Sequence, residues 1–389
     1  MSRQWVLPEV AAIEADMIAL RRQLHAQPEL GFEEHVTSAL VAEKLETWGY
    51  RVTRGVGGTG VVATLERGRG FRLGLRADMD ALPIREATGL PYASGNEGVM
   101  HACGHDGHTA ILLAAARCLA QTAQWRGTLH LIFQPAEEGL GGARKMIEDG
   151  LFERFACDAV FAMHNVPGFP AGRIGFHSGA FMASADEVTI RVIGRGGHAA
   201  APQQTIDPVV VGASIVMALQ SVVARNVAPH DQAVVSVGAL HAGSASNVIA
   251  SHADLHLSVR ALSAPVRELL ERRIREVAHG QAASYGARVE IDYRHDYPVL
   301  VNHSDETEVA RRVALEWGGP EMLLDGLRPL MASEDFAYML ERCPGSYLSI
   351  GNGDGEQHCS LHNPGYDFND ASLAIGASYW VKLAEHILQ

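Results

Sequence analysis

Apolar residues along the chain change period several times, and the changes divide it. Helical spacing covers roughly 9–25 and again about 34–48, where Val36, Leu40, Val41 and Leu45 share one face and Gly49 follows. Strand-like runs come next, at 60–65 (GVVATL) and 71–78 (FRLGLRAD). From Gly104 to Gln121 apolar residues return to helical spacing, with small side chains that permit close packing. TLHLIFQP (128–135) and DAVFAMHN (158–165) are continuous apolar runs of the buried-strand type, separated by a helix near 141–149. Strands alternating with helices predict an α/β architecture, a mainly parallel sheet flanked by helices.

The middle of the chain keeps a different rhythm. EVTIRVIG (187–194) alternates strictly, as a half-buried strand does. Asp207 and Pro208 supply an N-cap and a first-turn proline for a helix running to about Ala224. Strands at 233–240 and 253–262, a helix from Pro265 to about Tyr285 and a strand at 287–294 complete a β-α-β-β-α-β order. That order is the ferredoxin-like sandwich, and it ends at Pro298. The α/β pattern resumes with helices at 305–317 and 334–341, a strand at 346–351 and a last helix from about Asn369. The expectation is a discontinuous α/β domain, 1–183 with 297–389, carrying an inserted domain at 184–296. GVGGTG (55–60) does not open a helix, so it reads as a hairpin rather than a dinucleotide loop.

Composition narrows the class. The 389 residues are 47% hydrophobic and 20% charged, ordinary for a globular chain long enough to bury a core without disulfides. The net charge of −13 speaks against nucleic acid or an anionic membrane surface as partner. Five scattered cysteines form no secreted-type framework, the start lacks a signal-peptide layout, and no run approaches 18 apolar residues. The expected location is the cytoplasm.

Nineteen histidines change the picture, because several lie beside Cys, Asp and Glu at strand ends. GLRADMDALP (74–83) runs from a strand into Asp78 and Asp80, and strand C-terminal ends are where open α/β sheets place ligands. MHACGHDGH (100–108) crowds His101, Cys103, His105, Asp106 and His108 together. Cys103 and His105, two apart, suit zinc or a similar divalent ion, with one or two of the others orienting them. QPAEEG (134–139) ends a buried strand on adjacent carboxylates, Glu137 and Glu138. A cation relieves their repulsion by binding one, and the other remains a general acid/base. His164 and His362 stand at further turns. Cys103, His105, Glu138, His164 and His362 are too many for one four-coordinate catalytic ion with an open position. They suit two ions about 3.5–4 Å apart, with Cys103 a candidate bridge. The chemistry expected is a metal-activated hydroxide attacking an amide carbonyl, with Glu137 carrying the proton to the leaving amine.

With these residues in place the chain resembles a known family: the dinuclear metallo-aminoacylases and peptidases related to glutamate carboxypeptidase, in their hippurate hydrolase and auxin-conjugate amidohydrolase branch. The resemblance rests on RRQLHAQPELGFEE, GLRADMDALPI, MHACGHDGHTA, FQPAEEG, AMHN, GRGGHAAAPQ, SNVIA, SVRAL, SEDF and SLHNPGYDFND, in this order along nearly the whole chain. It implies a catalytic α/β domain with an inserted lid or dimerisation domain, and the same five metal ligands. It also implies Glu137 as general base, Asp80 as the residue orienting a ligand, His198 as oxyanion donor, and Asn247 and Arg260 as holders of a substrate carboxylate. The wider family has a metal-binding His where this chain has Asp78, and the branch gives that role to His105. The implied cofactors are two divalent ions per subunit, Zn or Mn, with Co and Ni also suited. The implied reaction splits an N-acyl-L-amino acid, hippurate-like, into a carboxylic acid and a free amino acid. Competing readings are deacetylation of an N-acetyl-amino acid or N-acetyl-diaminopimelate, cleavage of an auxin conjugate, and a catalytically silent metal-binding or regulatory protein. The intact Glu137–Glu138 pair speaks against the last. An edge strand of the inserted sandwich free to meet its twin, together with the resemblance, implies a homodimer or homotetramer.

Overall fold

A computed structural model describes residues 3–121, 124–355 and 359–389. Six strands are laid down first: β1 (Arg51–Val56), β2 (Gly60–Arg67), β3 (Arg72–Asp78), β4 (Gly127–Gln134), β5 (Ala159–Val166) and β6 (Ile174–Gly175). Four follow in the middle of the chain: β7 (Ser184–Ile193), β8 (Ala233–Ala242), β9 (His252–Ala261) and β10 (Arg288–Tyr297). The last two are β11 (Leu323–Leu324) and β12 (Gly345–Gly351). The principal helices are α1 (Glu14–Ala26), α2 (His35–Thr47), α3 (His105–Gln121), α4 (Gly142–Glu148), α5 (Pro208–Asn226), α6 (Ala264–Ser284), α7 (Ser304–Gly318) and α8 (Leu373–Ile387).

The chain divides into two compact units. One comprises 1–179, 301–328 and 335–389, and the other 180–300 with 329–334. The inserted unit therefore starts and ends a few residues outside 184–296. The short return at 329–334 has no periodicity to announce it. It is held by main-chain bonds, with the Leu330 N–H donating to the Phe181 carbonyl at 2.8 Å and the Ala183 N–H to the Ala332 carbonyl at 2.8 Å.

In the first unit the strand order is β1-β2-β4-β3-β5-β12-β6-β11. The central neighbours β4, β3, β5 and β12 are all parallel. Parallel strands covered on both faces carry apolar side chains almost without interruption, and residues 129–134 of β4 and 159–165 of β5 are buried throughout. Most of α3 is buried too, its small residues Ala114, Ala115 and Ala116 letting it pack closely against α1 and α8. GVGGTG is the turn of the antiparallel β1–β2 hairpin. β1 itself was not expected, because it is an exposed edge whose Arg51 and Arg54 pair with Glu66 and Glu46 at 2.7 and 2.9 Å. The helix expected at 334–341 shrinks to Ala337–Leu340.

The second unit is a four-stranded antiparallel sheet, order β8-β9-β7-β10, with α5 and α6 on one face. Alternate burial along β7 and β9 gives α5 and α6 their floor. Asp207 caps α5 by accepting from the Val209 N–H, and Ser263 caps α6 by accepting from Val266. Val266, Leu270, Ile274, Ala278 and Ala282 form the buried stripe of α6. α5 is the one described helix long and apolar enough to cross a membrane by length and composition, at mean hydropathy 1.6. Ser214, Gln220, Ser221 and Arg225 interrupt its apolar run, so it stands out by average hydropathy and not by an unbroken apolar stretch. One face of α5 packs on its own sheet, while Val210 and Met217 lie on the opposite, exposed face.

Candidate functional site

Parallel pairing in register brings the C-terminal ends of β3, β4 and β5 to one edge of the sheet. Asp78 lies beside Gln134, and Arg76 pairs with Ala162 two residues before His164. The strand ends and the loops leaving them therefore deliver Asp78 and Asp80, Glu137 and Glu138, and His164 to the same place. Cys103 comes from the turn before α3, and His105 is the first residue of α3.

Two overlapping clusters of donor atoms result, each within 4.8 Å: Cys103, His105 and Glu138, and Asp78, His105, His108 and His164. Every ring is aimed by a second contact. His105 Nδ1 donates to the Asp80 carbonyl oxygen at 2.9 Å, with Asp80 Oδ1 at 3.2 Å, so its Nε2 faces the cluster. Asp80 also accepts the Glu138 N–H at 2.9 Å, which ties ring and carboxylate to one anchor. His164 Nδ1 donates to the Asn165 carbonyl at 2.7 Å, and its Nε2 lies 3.4 Å from Cys103 Sγ. His362 stands in a left-handed turn with φ of 64° and brings Nε2 to 3.3 Å from Glu138 Oε1. It is half exposed and outside both clusters, joined to them through Glu138.

Asp78 has a different part. Its Oδ2 receives Arg76 Nη1 at 2.6 Å and its Oδ1 receives His108 Nδ1 at 2.6 Å. His108 Nε2 accepts the Asn165 N–H at 3.0 Å, which fixes the proton on Nδ1. Both oxygens of Asp78 are thus engaged, and it acts as a buried counter-charge. Arg76 continues to Gln134 Oε1 at 2.8 Å and Asp335 Oδ1 at 3.3 Å, and Asp335 caps α4 through the Ala143 N–H at 2.8 Å. Sequence reading missed Arg76, Asp335 and Asn165. The SEDF segment marked the place of Asp335 but not its partners.

The electrostatics call for a cation. Burial alone depresses His105, but Asp78, Asp80 and Glu138 outweigh it and lift the ring to about 10. Burial, then Glu138, Glu137 and Asp78, push the Cys103 thiol well above its usual range. Burial, then His108, hold His164 well below its own. His105 Nε2 and Glu138 Oε1 are buried without a hydrogen-bond partner. Such orphans are costly unless a ligand satisfies them. Thiol, imidazole and carboxylate converging there are a donor set for divalent ions of the zinc type, so the residues fit the implied cations. Glu137, the other member of the carboxylate pair, is buried, with an oxygen within 4.8 Å of one of Asp335.

The remaining expected residues lie in the second unit. His198 and Asn247 share a small two-stranded ribbon, His198 pairing with Val248 and the Ala199 N–H donating to the Asn247 carbonyl at 3.1 Å. His198 Nδ1 accepts the Ala200 N–H at 3.0 Å, which leaves Nε2 as the protonated, donating nitrogen of the neutral ring. Arg260 lies on β9 and donates to Ser333 Oγ at 2.8 Å.

Residues 74–386 match the model of peptidase family M20/M25/M40. The chain is 47% identical over 380 residues to hippurate hydrolase of Campylobacter jejuni, covering 97% of this chain and 98% of that one. It is 38% identical to IAA-amino acid hydrolase ILR1-like 2 of Arabidopsis thaliana, covering 96% and 85%. Among solved structures it is similar to a dinuclear metal-binding M20 peptidase of Bacillus subtilis, with a TM-score of 0.85, 34% identity and coverage of 97% and 99%.

Proposed function

The chain belongs to peptidase family M20/M25/M40, and on that footing we propose that it is a metal-dependent amidohydrolase that splits hippurate-like N-acyl-L-amino acids. The observation that carries this reading is the convergence of Cys103, His105 and Glu138 beside a second buried carboxylate, Glu137. Cys103, His105, Glu138, His164 and His362 would hold two divalent ions, Zn or Mn, with Co or Ni also suited. Bound there, the ions supply Lewis acidity to water and to the amide carbonyl. Glu137 takes a proton from the attacking water and returns it to the amide nitrogen as the C–N bond breaks. The oxygen of water ends in the carboxylic acid, and the amino acid leaves with a free amine. Asp80 holds the His105 ring and the Glu138 main chain in place. His198, through its Nε2–H, is the donor for the carbonyl oxygen as it gains charge.

Asn247 and Arg260 hold the α-carboxylate of the substrate. Arg260→Ala is expected to raise KM by about 10–100-fold for hippurate, the scale of a lost charge-assisted bond. The same variant should change KM little for the corresponding amide or ester. Equal losses on acid and ester in steady-state assays would leave Arg260 a structural role only. The same assay extended to N-acetyl-methionine, N-acetyl-cysteine and an indole-acetyl amino acid ranks the acyl groups. No turnover of any of them by metal-loaded protein would favour a silent binding protein.

A homodimer is the assembly we favour. The supporting features are the outer edge of β8, which ends the sheet, and the exposed Val210 and Met217 on α5 beside it. Met217→Glu is expected to give monomers at micromolar concentration, because like charges meet across a two-fold axis. Sedimentation that still finds the parent's assembly would remove α5 from the interface. The five free cysteines suit a reducing, cytoplasmic compartment.

A further inference from the structure

The ELGFEE segment (29–34) contributes no ligand and no group that touches substrate, yet it is hydrogen-bonded to the loops that carry Asp80 and Glu137. On one side the Ala81 N–H, next to Asp80, donates to the Glu29 carbonyl at 2.8 Å. On the other side Glu34, fully buried, accepts the Ala136 N–H on Oε1 at 2.8 Å. Its Oε2 accepts from the Thr59 hydroxyl. Ala136 directly precedes Glu137 and has a φ of 53°. A non-glycine residue pays to occupy this left-handed region and stays there only when its surroundings hold it.

Ala136 is held at both ends of the residue. Its carbonyl accepts the Gly142 N–H at 2.9 Å, and its N–H is the one taken by Glu34. The fit leaves no slack: a Cβ on Gly31 would lie 3.0 Å from both Cα and Cβ of Ala136, and one on Gly142 would collide with the Pro135 carbonyl oxygen. Release of the Ala136 N–H lets φ relax toward negative values and swings the next residue, Glu137, away.

We propose that Glu34 is a positioning residue for Glu137, clamping the left-handed Ala136 through its main-chain N–H so that the general base points at the metal centre. The proposal rests on the reading of Glu137 as the base. It assigns the ELGFEE segment a mechanical part in catalysis at a distance from substrate.

The test compares E34A, E34Q and A136G, singly and as E34A/A136G, on metal-loaded full-length protein with hippurate as substrate. E34A is expected to lose about 10–100-fold in kcat, the scale of a small misplacement of a catalytic group, with KM and metal content near the parent's. E34Q keeps an oxygen for the Ala136 N–H and an amide for Thr59, so kcat should stay within about threefold. Glycine takes the left-handed region without help, so E34A should cost less in the A136G background than in the parent. Unchanged kcat in E34A, equal losses in E34A and E34Q, or a loss that follows metal content would each overturn the proposal. If E34A fails to fold, T59V takes its place, with about 3–10-fold lower kcat expected at constant KM and an unchanged kcat decisive against. Glu137→Gln is run alongside: if it keeps full kcat, the base assignment falls, whereas its loss beside a fully active E34A removes the positioning role alone.

Discussion

Glu137→Gln is expected to keep the parent's metal content and lose about 10²–10⁴-fold in kcat, the usual cost of removing a general acid/base. Glutamine preserves the volume of the side chain but cannot take a proton from water, and the same group must also hand that proton to the leaving nitrogen. Metal should stay because Glu137 is outside the cluster of Cys103, His105 and Glu138. Its neighbour is expected to behave in the opposite way. Glu138 Oε1 is buried without a hydrogen bond, close to His105 Nε2 at 3.9 Å. Glu138→Gln should therefore lower metal occupancy first and activity as a consequence. Metal analysis and steady-state kinetics on the two variants distinguish the roles, and the reverse pattern would exchange them.

Arg76→Met is expected to have the largest effect on stability, about 3–5 kcal/mol, the scale of breaking a buried ion pair by removing one partner. Arg76 is 1% exposed and meets Asp78 at 2.6 Å and Asp335 at 3.3 Å. Methionine fills much of the space but leaves both carboxylates in a low-dielectric site without their guanidinium. Burial alone raises Asp78, and His105, Arg76 and His108 together are what hold it well below the usual carboxylate range. Urea unfolding of metal-free parent and variant measures the loss. A change under about 1 kcal/mol, typical of an exposed pair, would show that the network is not a structural element of the site.

The same network marks how far the sequence could be read. Strand and helix periods gave the α/β unit and the inserted sandwich, because burial on two faces or one leaves a direct trace in the letters. The ends of β3, β4 and β5 were legible as candidate ligand positions: β3 runs out into Asp78, β5 carries His164 near its end, and Glu137 follows β4 within three residues. What the pattern could not carry was pairing across distance. Asp335 lies 259 residues from Arg76, and no local spacing links them. Asp78 stood at a strand end with no assigned role, and its two engaged oxygens give it the part of a counter-charge. Residues 329–334 join the inserted unit through main-chain bonds, which any side chains could make, and through the Ser333 hydroxyl, whose partner Arg260 lies 73 residues away. Glu34 was legible as part of a motif, but its function depends on the backbone angle of Ala136, which no composition records.

The central claim, that a divalent ion at the Cys103–His105–Glu138 cluster is required for amide hydrolysis, is tested by a metal titration of chelated protein. The expected result is hippurate hydrolysis lost with the metal and restored in proportion to ion bound, up to about two per subunit. Full turnover in protein shown by elemental analysis to be metal-free would contradict the account.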